Sequence, residues 1–291
     1  MAATLNLKEN FLGGGTKTLR SPRLRVKGDD LADLNVGMNV LLIGMPGRGK
    51  THAIADLILR GLKVFMVSTD SGGDNGINTI KARCLAAGKD IEYVRAHLRW
   101  VHVDVGDAVG EGRSALMEYL KSLRDLNGFD GFVPDVLVWE GFSNYQGNYV
   151  VDEFDEDDGG IENFKQWGKI SAATIRDLEY FFKIPVLYKI VTCQEGEKRV
   201  KVRVGMDAKG QPIFEDQKVP TGGPALKTSA AKSVMAAFDI SILLSIDKDG
   251  KYMYNIKCGA GSEGKKRVKL PEEMPADFNK VWDDTKKQLG I

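Results

Sequence analysis

The chain has 291 residues, of which 43% are hydrophobic and 28% charged, and its 41 basic and 40 acidic side chains leave a net charge of +1. This mixture excludes a wholly disordered chain and supplies the apolar material for one large domain or two small ones. The balance of charge excludes a globally basic nucleic-acid binder but leaves room for local patches.

Residues 1–35 read as a flexible basic arm. GGG at 13–15 is a joint, and Lys17, Arg20, Arg23, Arg25 and Lys27 follow with no acid among them. From 36 onward, strand-like and helix-like segments alternate. Asn39–Ile43 is a short apolar run ending at glycine, as expected of a buried parallel strand. Ile54, Leu57 and Ile58 lie at helical spacing, and Gly61 ends that helix. Val64–Val67 predicts a second strand, Trp100–Val105 a third, Leu116–Leu126 a helix, and Val136–Trp139 a fourth strand. Trp167, Ile170, Thr174, Leu178 and Phe181 form the stripe of a long amphipathic helix. Pro185–Val191 follows as a strand.

The later chain changes character. Lys198–Val204 alternates charge and valine, Ala208–Gln211 reads as a turn, and Ile213–Val219 returns, which predicts a β-hairpin. Phe238–Ile246 and Tyr252–Cys258, joined through Lys248-Asp249-Gly250, read as a second antiparallel pair. Residues 259–291 are expected as a tail with a short helix over Phe278–Leu289. Strands separated by helices, then hairpins, predict an α/β fold with a mainly parallel sheet flanked by helices. No apolar run is long enough to span a membrane. The opening MAATLNLKENF lacks a basic flank before an apolar stretch, so a cytoplasmic location is expected. Cys84, Cys193 and Cys258 lack CxxC or metal spacing and read as free thiols. His52, His97 and His102 show no ligand spacing.

The chemistry is concentrated in Gly44-Met45-Pro46-Gly47-Arg48-Gly49-Lys50-Thr51, a full match to GxxxxGK[ST] between a predicted strand and a predicted helix. Glycines let the backbone fold around an anion, successive N–H groups point inward, and the helix N-terminus adds its positive end. Lys50 is placed to reach the β- and γ-phosphates of ATP, and the Thr51 hydroxyl to ligate Mg²⁺. A second acid at the end of a neighbouring strand is needed to hold the metal's water shell, and Glu140 stands there in place of the usual aspartate. Asp135 precedes that strand and is expected to cap its start. Asp70, in STDSGG at 68–73, is the candidate for orienting or deprotonating the attacking water, with Asp74 second. Gln194 ends the Pro185–Val191 region as a candidate reporter of the γ-phosphate.

These pieces, in this order, resemble the RecA/RadA class of recombination ATPases, and within it the phage-encoded minimal RecA-core proteins associated with single-strand annealing. The resemblance rests on GMPGRGKT at 44–51, STDSGG at 68–73, VLVWEGFSN at 136–144, WGKISAATIRDLEYFF at 167–182, VTCQE at 191–195 and PALKTSAAKSVMAAFD at 224–239. It spans 36–258 and implies a RecA-like P-loop core. It also implies a proline-led helix over Pro224–Asp239, homo-oligomers in a ring or filament with ATP at subunit interfaces, single-stranded DNA along the axis, and a single-strand-binding protein as a further partner. A basic residue acting on the neighbour's site is implied too, with Lys257, Lys265, Lys266 and Arg267 as candidates.

Asp152-Glu153-Phe154-Asp155-Glu156-Asp157-Asp158, where such proteins often contact DNA, would repel phosphate. The hairpin after Gln194 is the better DNA candidate, because strand alternation puts Arg199, Lys201 and Arg203 on one face. The leading expectation is therefore an ATP-dependent single-stranded-DNA-binding recombination or annealing protein. The alternatives are a P-loop kinase and a nucleotide-gated assembly scaffold.

Overall fold

The structure is a computed structural model and describes residues 37–70, 75–103, 111–125, 127–151, 164–206, 211–226, 230–256 and 268–290. The basic arm, Asp74, the acidic run 152–158, Lys257, Lys265, Lys266 and Arg267 lie outside the described residues.

Asn35–Ile291 forms one compact unit. Among the described residues its main sheet has eight strands in the order β10-β9-β8-β1-β5-β4-β2-β3. These are β1 (Met38–Ile43), β2 (Val64–Ser68), β3 (Leu98–His102), β4 (Val136–Glu140), β5 (Tyr188–Cys193), β8 (Ile240–Ile246), β9 (Tyr252–Asn255) and β10 (Glu273–Pro275). Strands β8 through β3 pair in parallel, and β9 and β10 add an antiparallel edge beyond β8. Strands β6 (Glu195–Met206) and β7 (Pro212–Pro224) form a separate two-stranded ribbon.

The central parallel strands β1, β2, β4 and β5 are buried on both faces, which is why they are largely apolar, whereas the edge strand β3 leaves Arg99 and Trp100 exposed. In β1, Met38, Val40 and Leu42 enter one core, and Leu41 and Ile43 the other. Helices α1 (Lys50–Leu59), α2 (Asn75–Ala86), α3 (Ile91–His97) and α8 (Phe278–Leu289) cover the first face through residues such as Ile54, Ile80, Val94 and Trp282. Helices α4 (Glu111–Arg124), α5 (Phe142–Asn144), α6 (Phe164–Phe182) and α7 (Ala230–Ala236) cover the second through Leu120, Phe142, Phe181 and Val234. Helix α8 has the bounds read from the sequence, capped by Asp277, whose carboxylate accepts from the Lys280 N–H, and by the left-handed Gly290. The C-terminal segment thus puts Phe278, Val281 and Trp282 into the core.

Several bounds differ from expectation for physical reasons. Strand β3 is Leu98–His102 and matches β2, its one neighbour among the described residues, with Val64 opposite Leu98 and Ser68 opposite His102, while Asp104 and Val105 of the expected strand lie outside the described residues. Strand β5 begins at Tyr188, since the Val186 N–H turns back to the Ile184 carbonyl and Pro185 has none to give. Pro224 ends β7 instead of leading a helix, and the described helix there is only Ala230–Ala236. The expected second antiparallel pair forms, β8 with β9, and because β8 also runs parallel to β1 the pair extends the main sheet. Helices α2 and α3 and strand β10 are not among the elements expected from the sequence. Among the described residues no helix is long and apolar enough to cross a membrane.

Candidate active site

The ends of β1, β5, β4 and β2 lie side by side, so their following residues meet at the carboxyl edge of the sheet, where open α/β sheets form their crevice. There a cavity of about 270 Å³ is lined by Pro46 through His52, Asp70, Asn75, Gly76, Thr79, Glu140, Gly141, Asn144 and Thr192 through Gln194. The structure therefore brings the glycine-rich loop, Asp70, Glu140 and Gln194 into one site. Gly44 and Met45 supply carbonyl groups at its root.

The loop is built by backbone. Gly47 and Gly49 have φ of 76° and 93°, a region open to glycine at little cost. Gly49 caps α1 and its carbonyl accepts from the Ala53 N–H. The Lys50 ammonium folds onto its own loop, donating to the Gly44 carbonyl at 2.6 Å and the Met45 carbonyl at 3.2 Å. Burial lowers its pKa, against the opposing pull of nearby acidic groups that include Asp70 and Glu140. These bonds go to neutral carbonyls, where an anionic acceptor would add ion pairing to the charge already on the donor.

Glu140 is only 7% exposed. The Ser68 and Thr51 hydroxyls lie by its carboxylate and favour its ionised form. Burial raises its pKa and the Asp70 charge raises it further, while those two hydroxyls and Lys50 oppose the shift. Gly76, near the start of α2, lies directly over it: a Cβ there would sit 2.8 and 2.9 Å from the two carboxylate oxygens. Glycine is thus the residue that fits against Glu140 in this position. Asp135 was expected to cap the start of β4, but its carboxylate accepts from the Lys63 N–H at 2.7 Å and so caps the residue before the neighbouring β2.

Asp70 is held by a residue to which the sequence reading assigned no role. The Asn144 side-chain amide donates to Asp70 Oδ1 at 2.6 Å. Asn144 ends α5, which starts at the left-handed Gly141 (φ 80°) and continues into a π-helical turn over Tyr145–Val150. A Cβ at Gly141 would lie 2.8 Å from the Asp70 nitrogen, so β4 and β2 end in close backbone contact. The Thr69 hydroxyl locks that contact, donating to the Glu140 and Gly141 carbonyls and accepting from the Trp139 indole. The π turn is anchored in turn: the Tyr145 hydroxyl donates to Asp177 at 2.6 Å, and Arg113 makes a two-pronged ion pair with the same carboxylate. Such π turns recur at functional sites.

Gln194 stands between the loop and Glu140 because β5 is interposed between β1 and β4. Its N–H donates to the Ser143 hydroxyl and its carbonyl accepts from the Ala225 N–H at 2.7 Å. Since β6 starts at Glu195 and β7 ends at Pro224, both legs of the ribbon are rooted at this one residue. Beside it the buried Cys193 thiol is pushed up to about 12 by burial, so it stays protonated near neutrality. Cys84 is likewise free and buried.

On the ribbon, Arg199, Lys201 and Arg203 are exposed and share a face, as alternation predicts. The register adds what the sequence could not: their cross-strand neighbours on that face are Lys218, Asp216 and Phe214. Phe214 is 54% exposed. Four cations, the two acids Asp216 and Glu197, and an aromatic ring therefore lie on this face, with Lys218 3.5 Å from the Glu197 carboxylate.

The oxygen donors gathered around Glu140 suit a hard cation such as Mg²⁺, which takes few protein ligands and keeps several waters. Among the described residues no group of three or more His, Cys, Asp or Glu converges as a metal cage. No protein-family model matches the chain, and no curated protein matches it.

Proposed function

We propose that the chain is a RecA-like P-loop ATPase that binds single-stranded DNA and acts in recombination or annealing, assembled as a homo-oligomer. The observation that carries this reading is the meeting, in one cavity, of the glycine-rich loop, Lys50, Thr51, Glu140, Asp70 and Gln194, with Gln194 running directly into a cationic ribbon. The resemblance of the motif order to the RecA/RadA class supports the same reading.

In this reading the loop N–H groups and Lys50 hold the phosphates of ATP, and Lys50 exchanges its two carbonyl partners for them. Thr51 and Glu140 hold Mg²⁺, which when bound neutralises charge on the β- and γ-phosphate oxygens. Asp70, oriented by Asn144, aligns a water and accepts its proton. Gln194 sits where the terminal phosphate ends, and its backbone bonds to Ser143 and Ala225 pass any shift to the root of the ribbon. Arg199, Lys201, Arg203 and Lys218 then track a phosphate backbone, as single-strand binders require.

The test is ATP hydrolysis by the purified chain, with and without single-stranded DNA, at low and moderate salt. Stimulation that fades with salt is the expected result. Hydrolysis indifferent to DNA removes the DNA half of the reading. Nucleotide-dependent assembly without turnover favours a gated scaffold instead.

A further inference from the structure

The site has a direction. Glu140, Asp70 and Gln194 all lie on the β5–β4–β2 side of β1. A terminal phosphate belongs beside them, so the remainder of a nucleotide leaves over the opposite flank of the glycine-rich loop. On that flank β1 has one other neighbour, β8, and β8 pairs with β9. Gly44 backs onto β8 there, with a Cβ placed 3.0 Å from the Leu244 carbonyl oxygen.

The first residue of β9 is Tyr252, and its ring faces the loop. A Cβ at Gly49 would lie 3.8 Å from Tyr252 Cδ1 and 4.0 Å from Cε1. Tyr252 pairs with Ile246 and Tyr254 with Leu244, so the two tyrosines share the face covered by α1. They differ in depth. Tyr254 is 4% exposed in the core, whereas Tyr252 is 44% exposed at the rim of the loop. Among the described residues the Tyr252 ring stacks on no other ring and its hydroxyl has no hydrogen-bond partner. Its backbone is nevertheless well fixed. Asp247 Oδ1 accepts from the Asp249 and Lys251 N–H groups at 2.9 and 2.8 Å, closing the preceding turn. The Tyr252 carbonyl accepts from the Ala276 N–H at 3.0 Å. An open aromatic face on a fixed backbone, at the nucleoside end of a phosphate loop, is a stacking platform.

We infer that Tyr252 holds the nucleobase of the bound nucleotide by stacking, the ring of a purine lying on its exposed face. The inference rests on the nucleotide reading above and adds the subsite for the base. Stacking reads the π-face and not the hydrogen-bonding edge, so adenine and guanine are held alike.

The experiment measures binding of Mg·ATP, Mg·GTP and inorganic Mg·tripolyphosphate by calorimetry to the full chain, as wild type, Tyr252→Phe and Tyr252→Ala. Wild type is expected to bind both nucleotides more tightly than tripolyphosphate. Tyr252→Ala is expected to weaken ATP and GTP by roughly tenfold, the scale of one lost base–aromatic stack, and to leave tripolyphosphate within about twofold. Tyr252→Phe retains the wild-type ratio. Truncating a half-exposed ring leaves the core intact, and an unchanged thermal midpoint checks this. If Tyr252→Ala binds tripolyphosphate normally and ATP as tightly as wild type, the platform is elsewhere and this inference fails while the nucleotide reading stands. If wild type binds neither nucleotide nor tripolyphosphate, the nucleotide reading itself falls and the platform with it.

Discussion

The carboxyl edge of the main sheet and the β6–β7 ribbon are joined through a single residue, Gln194, yet they are built on opposite principles. At the sheet edge, Glu140 and Thr192 are buried, and Asp70, Asn144 and Lys50 each have a named partner. Neighbours there approach closely: a methyl group at Gly141 would meet the Asp70 backbone, and one at Gly76 the Glu140 carboxylate. Along the ribbon almost every side chain is exposed or half-exposed, and among the described residues the two strands pair only with each other. A two-stranded hairpin alone is marginally stable in water. Chemistry on a transferred phosphate needs groups fixed before the substrate arrives. A surface that follows an irregular chain needs the reverse, low local stability and charge within reach of solvent. The contrast fits the proposed function, with the fixed task at the sheet edge and the adaptable task on the ribbon.

The largest expected effects break the fixed region alone. Lys50→Ala abolishes nucleotide binding, read by calorimetry. Asp70→Ala keeps binding but lowers turnover by roughly 10² to 10⁴, the usual contribution of a positioned general base. Both variants leave the far-ultraviolet circular dichroism of the chain unchanged. Normal hydrolysis by Asp70→Ala would assign the base to another residue.

Gly76→Ala sharpens the contrast by adding one methyl group against the Glu140 carboxylate. The displaced carboxylate is expected to raise the Mg²⁺ concentration for half-maximal turnover by about tenfold, a scale typical of disturbing the groups that orient a metal site. A Mg²⁺ titration identical to wild type would show that α2 can retreat without cost.

Replacing Arg199, Lys201 and Arg203 together with alanine tests the ribbon alone. Hydrolysis without DNA stays at the wild-type rate, while stimulation by single-stranded DNA is lost. The slope of log affinity against log salt falls by about 2, since each phosphate contact adds roughly 0.7 for a single strand. Loss of basal hydrolysis would mean that the ribbon also supports the site.

The smallest effect is thermodynamic. Glu140→Gln is expected to raise the thermal midpoint of the nucleotide-free chain by a few degrees at neutral pH, about 1 kcal/mol, while lowering turnover. The sign follows from its raised pKa: with the carboxyl protonated at low pH, wild type and variant are alike. As pH rises from the ordinary value of 4.5 through the raised folded value, ionisation costs the wild type stability and the difference opens. A midpoint difference that stays constant from acid to neutral pH would rule out burial and Asp70 as its cause.

Much of this molecule was legible before folding was considered. The two-faced burial of β1, β2 and β4 shows as unbroken apolar runs, and the 44–51 motif shows as glycines where the backbone must turn left-handed. Asp277 and Gly290 mark the ends of α8 because capping is a local preference. Arg199, Lys201 and Arg203 share a face because strand alternation is local too. Other features left no such trace. Gly76 follows a run of glycine and acid that reads as a turn, and its task is set by a carboxylate on β4. Asn144 was part of a motif without a role, since its partner lies 74 residues earlier in the chain. Tyr252 looked like one more aromatic residue in a hairpin.

The sequence by itself determined the local geometry: where the chain turns left-handed, where it is buried on both faces, where it is capped, and which residue types stand at strand ends. Those properties depend on backbone preference and periodicity within a few residues. Only the tertiary structure decided which strand ends become neighbours. The crossovers that insert β5 between β1 and β4, and lay β8 on the far side of β1, put Gln194 beside Glu140 and Tyr252 beside Gly49. Contacts between residues so distant in the chain are paid for by burial of the whole sheet, and no short segment carries their signature.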